Sequence, residues 1–182
     1  SDVCSSDLFE SRGILHCVVT VDTRVIHCYV IHLGLFAISR WRQTEALIDA
    51  VCASAPADAP LLIAGDFNDW TNALSASLRE RLGVTEVFDR QLSASRFGSY
   101  LRRLAGRGPR KAPARTFPAA MPMLQLDRIY VRGFEVLEAT VLHGPSWARL
   151  SDHAPIIAEL VLQSPKLQTA ADPLNEMVDA GG

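Results

Sequence analysis

A chain of 182 residues, 48% hydrophobic and 21% charged with a formal net charge of −2, has the composition of a globular domain, and its length allows roughly 70% of the unfolded surface to be buried. No apolar run approaches the ~20 residues that span a bilayer, and no charged-then-apolar leader precedes a small-residue cleavage site, so a cytoplasmic protein without membrane segments is expected. The absence of overall positive charge argues against a dedicated nucleic-acid-binding domain.

The opening SDVCSSDL, residues 1–8, carries neither helical nor strand period and reads as a non-native leader, with the fold expected from Phe9 to about residue 162. GILHCVVTV and RVIHCYVIHL are β-branched runs separated by Asp22-Thr23, a hairpin with strands near 13–21 and 24–32. A two-residue turn there sets Cys17 opposite Cys28, the one pairing at which a disulfide is conceivable. The four cysteines, Cys4, Cys17, Cys28 and Cys52, are otherwise too few and too irregular for a disulfide scaffold or a zinc site. Ser39 is positioned to cap a helix running to about residue 53, with Trp41, Leu47, Ile48 and Val51 on its apolar side.

The run LLIA at 61–64 reads as a covered strand and ends abruptly in GDFNDW. That ending is either chemistry or a turn, since Asp and Asn serve both. A second helix follows, with Thr71 or Asn72 as cap, Leu74, Leu78 and Leu82 four apart, and Gly83 as terminator. Residues 96–115 hold seven basic side chains and no acidic one, either an anion-attracting surface or a solvated loop. LQLDRIYVRGF and APIIAELVL restore strand character, and residues 163–182 read as a frayed tail. The order strand, helix, strand, helix, strand, strand specifies a mixed α/β sheet with helical cover.

Polar residues gather at strand ends. His32 and the pair Asp66 and Asn68 follow apolar runs, whereas Asp127 and Ser151-Asp152-His153 precede them. If the last two strands run antiparallel to the first two, three carboxylates, two imidazoles and an amide meet along one sheet edge. Each alone is equally a turn residue or a hydrogen-bonded histidine. G-D-x-N and S-D-H, however, each arise by chance in a chain of this size only on the order of a few per cent of the time.

HLGL, GDFN, LDRIYV and SDHAP, in that order, resemble the endonuclease/exonuclease/phosphatase superfamily, the DNase I-like proteins, from about residue 13 to 162. HLGLF with Arg42-Gln43, GDFNDW, ARTFPAAMP, LDRIYVRG and LSDHAP are similar more narrowly to a bacterial subgroup often encoded beside cardiolipin synthase. The resemblance implies a four-layer α/β sandwich, two packed mixed β-sheets flanked by helices. It also implies hydrolysis of a phosphate ester with Mg²⁺ or Mn²⁺, the substrate being a lipid headgroup, a small phosphodiester or a nucleic acid. No obligate protein partner is implied, and a monomer is expected.

By the same resemblance, Asp66 is the base for the attacking water, Asn68 a donor to a phosphate oxygen, His153 the imidazole beside the phosphoryl group and Asp127 its orienting carboxylate. Asp152 is a metal-side ligand and His32 stands near the leaving group, while Arg96 and Arg115 are assigned to substrate from the basic segment. Hard oxygen ligands suit Mg²⁺. The family's early strand, with an Asn and then a metal-binding Glu, has no counterpart before Gly13. The chain is therefore expected to be the C-terminal part of the domain and to turn over little by itself. The competing readings are a DNA nuclease and a non-catalytic module that retains the fold.

Overall fold

The computed structural model describes residues 5–7, 10–89 and 114–164, with side chains from residue 12 onward. A six-stranded sheet forms the centre, built from β1 (Ser5–Asp7), β2 (Glu10–Val21), β3 (Arg24–His32), β4 (Leu61–Asp66), β5 (Thr85–Glu86) and β6 (Asp127–Arg132) in the order β1-β2-β3-β4-β6-β5. β3 and β4 are parallel and joined through α1 (Ala37–Ser54), whereas β2–β3 and β4–β6 are antiparallel. β7 (Phe134–Val141) and β8 (Ile156–Leu162) pair antiparallel as a separate two-stranded sheet. Among the described residues no helix is long and apolar enough to cross a membrane.

The β2–β3 hairpin turns through Asp22-Thr23, with Asp22 at φ 55° and Val21 paired with Arg24. That register sets Cys17 opposite Cys28, and both are free thiols. Ser5–Asp7, within the segment read as a leader, pairs with β2 as an edge strand.

Both helices expected from the sequence begin elsewhere than it suggests. α1 starts at Ala37, so Ser39 lies inside its first turn and Phe36 is the N-cap without a side-chain bond. The inward stripe is Arg40, Thr44, Leu47, Ile48 and Val51, which turns Trp41 out to 60% exposure. α2 (Ser75–Leu82) ends as expected at Gly83, φ 65°, whose N–H donates to the Arg79 carbonyl. Its start is held by Asp69, which accepts from the Leu74 N–H at 2.9 Å, while Asn72 accepts from the Ser75 hydroxyl.

Alternation along the strands divides the central sheet into two faces. Tyr29, Ile31, Leu61, Ile63 and Tyr130 pack under α1 and α2, and Ile26, Cys28, Leu62, Ile129 and Val131 pack against β7 and β8. The described residues thus contain a helical layer, the mixed sheet and a second sheet. Among the described residues the second sheet is one antiparallel pair, and no helix covers its outer face, so Ile157 and Val161 stand exposed there. Leu15, Val19 and Val30 are exposed on the inter-sheet face, because β7 and β8 cover only part of it. The proposed antiparallel return to one sheet edge holds for β6 and not for β8, which belongs to the second sheet.

Candidate active site

The pairing register alone aligns three of the polar residues. His32 is the partner of Asp66 across β3–β4, and Asp66 is the partner of Asp127 across β4–β6, a single row over three adjacent strands. All three share the parity of Cys28, Leu62 and Val131, so they lie on the inter-sheet face at its end. Two carboxylates directly opposite each other destabilise a sheet. Burial compounds the cost: it raises the Asp66 pKa above 3.8, the Asn68 N–H works against the rise, Asp127 adds to it, and His153 and His32 oppose it.

Gly65 makes the row possible. Its φ is +141°, and a Cβ there would stand 1.9 Å from the Ile31 carbonyl oxygen. Beyond it the chain serves two purposes. Phe67 is 1% exposed and meets Tyr130 edge-on at 5.2 Å between centroids, an anchor in the helix-side core. Asn68, at φ 49°, donates its backbone N–H to Asp66 Oδ1 at 2.8 Å and its Nδ2 to the Leu33 carbonyl at 2.8 Å. Asp69 is a turn residue, its two oxygens taken by the Thr71 hydroxyl and the Leu74 N–H. Buried Arg128 holds the same loop by donating to the Asp69 carbonyl at 2.8 Å, with Glu86 at 3.4 Å on its other side.

His153 reaches the row from the other sheet. The loop before β8 lies beside residues 116–119 through Ala119 N–H to Asp152 O at 2.6 Å and Ala154 N–H to Thr116 O at 2.8 Å. This sets His153 Nδ1 2.7 Å from Asp127 Oδ2, with the Phe117 ring tilted against the imidazole at 5.0 Å. Burial alone would lower the His153 pKa; the hydrogen bond and charge of Asp127, aided by Asp66 and Asp152, outweigh it and leave the pKa raised above 6.5. His32 Nε2 lies 3.5 Å from Asp66 Oδ2.

Arg12, His32, Asp66, Asn68, Asp127, Asp152 and His153 thus share one cleft of about 570 Å³, whose apolar wall includes Leu35, Trp70, Phe117, Leu124 and Leu126. Arg115 is exposed and does not line the cleft, and Arg96 lies outside the described residues. Two residues of the cleft escaped the sequence reading. Arg12 follows from the hairpin count: with Gly13 opposite His32, the next residue outward arrives beside Leu33, and Arg12 contacts His32 Nε2 and donates to the Leu33 carbonyl. Trp70, outside the helix that begins only at Ser75, also lines the cleft.

The donor set does not by itself fit a metal ion. Among the described residues no three His, Cys, Asp or Glu groups are placed so that they could hold a metal ion together, Asp127 Oδ2 is engaged by His153, and Asp66 Oδ1 is engaged by the Asn68 N–H.

The cleft at the end of the α/β sheet thus holds paired carboxylates and a carboxylate-bound histidine. The chain belongs to the Endonuclease/Exonuclease/phosphatase family, whose model matches residues 3–153. Members of this family are hydrolases, phosphoesterases and nucleases, and they generally use divalent metals. The chain is 38% identical over 160 residues to the uncharacterized protein YbhP of Escherichia coli K12, and equally to that of Shigella flexneri, covering 87% of this chain and 56% of theirs. It spans about half the length of the curated relatives it matches. Solved structures of the same fold include a functionally unknown conserved protein of Enterococcus faecalis V583 (TM-score 0.63, 18% identity, 84% of this chain and 57% of that one). D. rerio TDP2 complexed with a single-strand DNA product has TM-score 0.62 at 18% identity, over 88% of this chain and 66% of that one. A Bacteroides thetaiotaomicron mannosyl-6-phosphatase has TM-score 0.60 at 16% identity, over 86% and 60%.

Proposed function

We propose that this chain carries the water-activating and phosphoryl-binding half of a metal-dependent phosphodiesterase site. The observation that supports this best is the 2.7 Å contact between His153 and Asp127, made between two sheets and beside Asp66 in one cleft. A merely structural ion pair would not need a second carboxylate opposite Asp127.

Asp66, made more basic by burial, accepts a proton from the water that attacks phosphorus. The Asn68 N–H fixes one Asp66 oxygen, leaving the other for the water, while its carboxamide can offer a second Nδ2 proton to a phosphate oxygen without adding charge. His153, kept cationic above the usual imidazole range by Asp127, donates to the phosphoryl group as negative charge develops on it. His32, its Nε2 accepting from Arg12, stands on the leaving-group side of the cleft, and the departing ester oxygen takes its proton from solvent as the P–O bond breaks. Mg²⁺ or Mn²⁺ would require a carboxylate beyond those that converge here. Asp152 would stand on the metal side of the cleft.

The test is hydrolysis of a panel, a bis-aryl phosphodiester, nicked DNA, a lysophospholipid and an inositol phosphate, by the chain and by its upstream-extended form, each with Mg²⁺ and with EDTA. Turnover of at least one phosphodiester by the extended form, abolished by EDTA, is expected. A steep fall with salt on DNA alone would favour the nuclease reading. Hydrolysis of none would overturn the assignment.

A further inference from the structure

The polar side of the cleft accounts for a phosphoryl group and leaves its apolar wall unexplained. On that wall Trp70 stands out, being 52% exposed although it follows the buried Phe67, Asn68 and Asp69. Trp70 is the first residue of the turn that Asp69 closes by accepting from the Leu74 N–H. Behind the ring lies Arg40, only 7% exposed, with its guanidinium carbon 5.0 Å from the ring centroid. Arg40 is itself fixed, donating to the Leu35 carbonyl from the fourth position of α1. A buried cation therefore braces an indole that lines the cleft, and Leu35 lines it alongside.

We propose that Trp70 is a substrate-binding platform that stacks a planar aromatic group carried next to the scissile phosphate. This rests on the phosphoesterase reading above and narrows its substrate class. A rigid flat ring offers contact area with little conformational entropy to lose. A cation at its rear draws π density backward and fixes its orientation. An alkyl chain has no use for that orientation, whereas an aryl ester or a nucleobase gains from it. Stacking of a base on an aromatic side chain changes affinity about 5- to 160-fold.

The experiment follows the tryptophan indole N–H signals by NMR, with Mg²⁺ present, while inorganic phosphate, butylphosphonate, phenylphosphonate and adenosine 5′-monophosphate are titrated into the protein. Phenylphosphonate or the nucleotide should bind at least about fivefold tighter than butylphosphonate, and which of the two leads separates an aryl ester from a nucleobase as the source. Trp70→Ala should remove that preference while leaving inorganic phosphate affinity unchanged, and Trp70→Phe should retain most of it. Equal weakening of butyl and aromatic ligands in Trp70→Ala, or an aromatic preference that survives it, overturns the platform. Phosphate binding without any aromatic preference overturns the platform alone. Failure of the protein to bind even inorganic phosphate overturns the phosphoesterase reading with it.

Discussion

At the scale of single residues, the site is governed by which charge has a partner. Asp127 is spent on His153, so its effect appears in the imidazole. A histidine whose folded pKa is raised contributes stability that is fully present below the unfolded value, about 6.5, and is lost as pH rises through the higher folded value. Asp127→Asn removes the charge that opposes burial, so the His153 midpoint should move down, and the alkaline limb of any pH–rate profile should move down with it. NMR titration of the His153 ring protons checks this; an unchanged midpoint would show that Asp127 does not control the imidazole. Asp66 obeys the opposite sign. Its raised folded pKa means that ionisation costs the folded state, so its favourable contribution exists at acid pH and is lost as pH rises through that value.

At the scale of elements, β4 joins the apolar core to the site, and Gly65 is where the two demands meet. Gly65→Ala places a Cβ against the Ile31 carbonyl at an unfavourable φ, and should cost about 2 kcal/mol or more in urea unfolding. A loss under 0.5 kcal/mol would mean that β3 and β4 can separate without harm to the row. The strands were legible because their signals are local: alternation, a two-residue turn and a glycine before a polar cluster all lie within a few residues of one another. The helix starts were not. Ser39 and Asn72 are good capping types, yet α1 begins two residues before Ser39, and α2 takes its start from Asp69, six residues upstream. Capping types advertise a local possibility, whereas the stripe that must face the sheet, Arg40 to Val51, decides the outcome.

At the scale of the whole molecule, the gathering of His32, Asp66, Asn68, Asp127 and His153 in one cleft was legible because motifs at strand ends survive an error in topology. The placement of β8 was not, because a strand that returns to the same sheet and one that opens a second sheet have the same period. The second sheet is what lets His153 face Asp127 from outside the ladder. The central claim is that this row, with His153 above it, exists for phosphoester hydrolysis at a cost in stability. The most direct test is Asp66→Asn in the upstream-extended protein, with turnover of a bis-aryl phosphodiester and thermal unfolding at pH 7 measured on the same sample. The account predicts a loss of turnover of at least about 10²-fold with a melting temperature equal to or above that of the unaltered protein, because the substitution removes a buried charge opposite Asp127. Turnover that persists with Asn at position 66, or a melting temperature that falls together with activity, would contradict it.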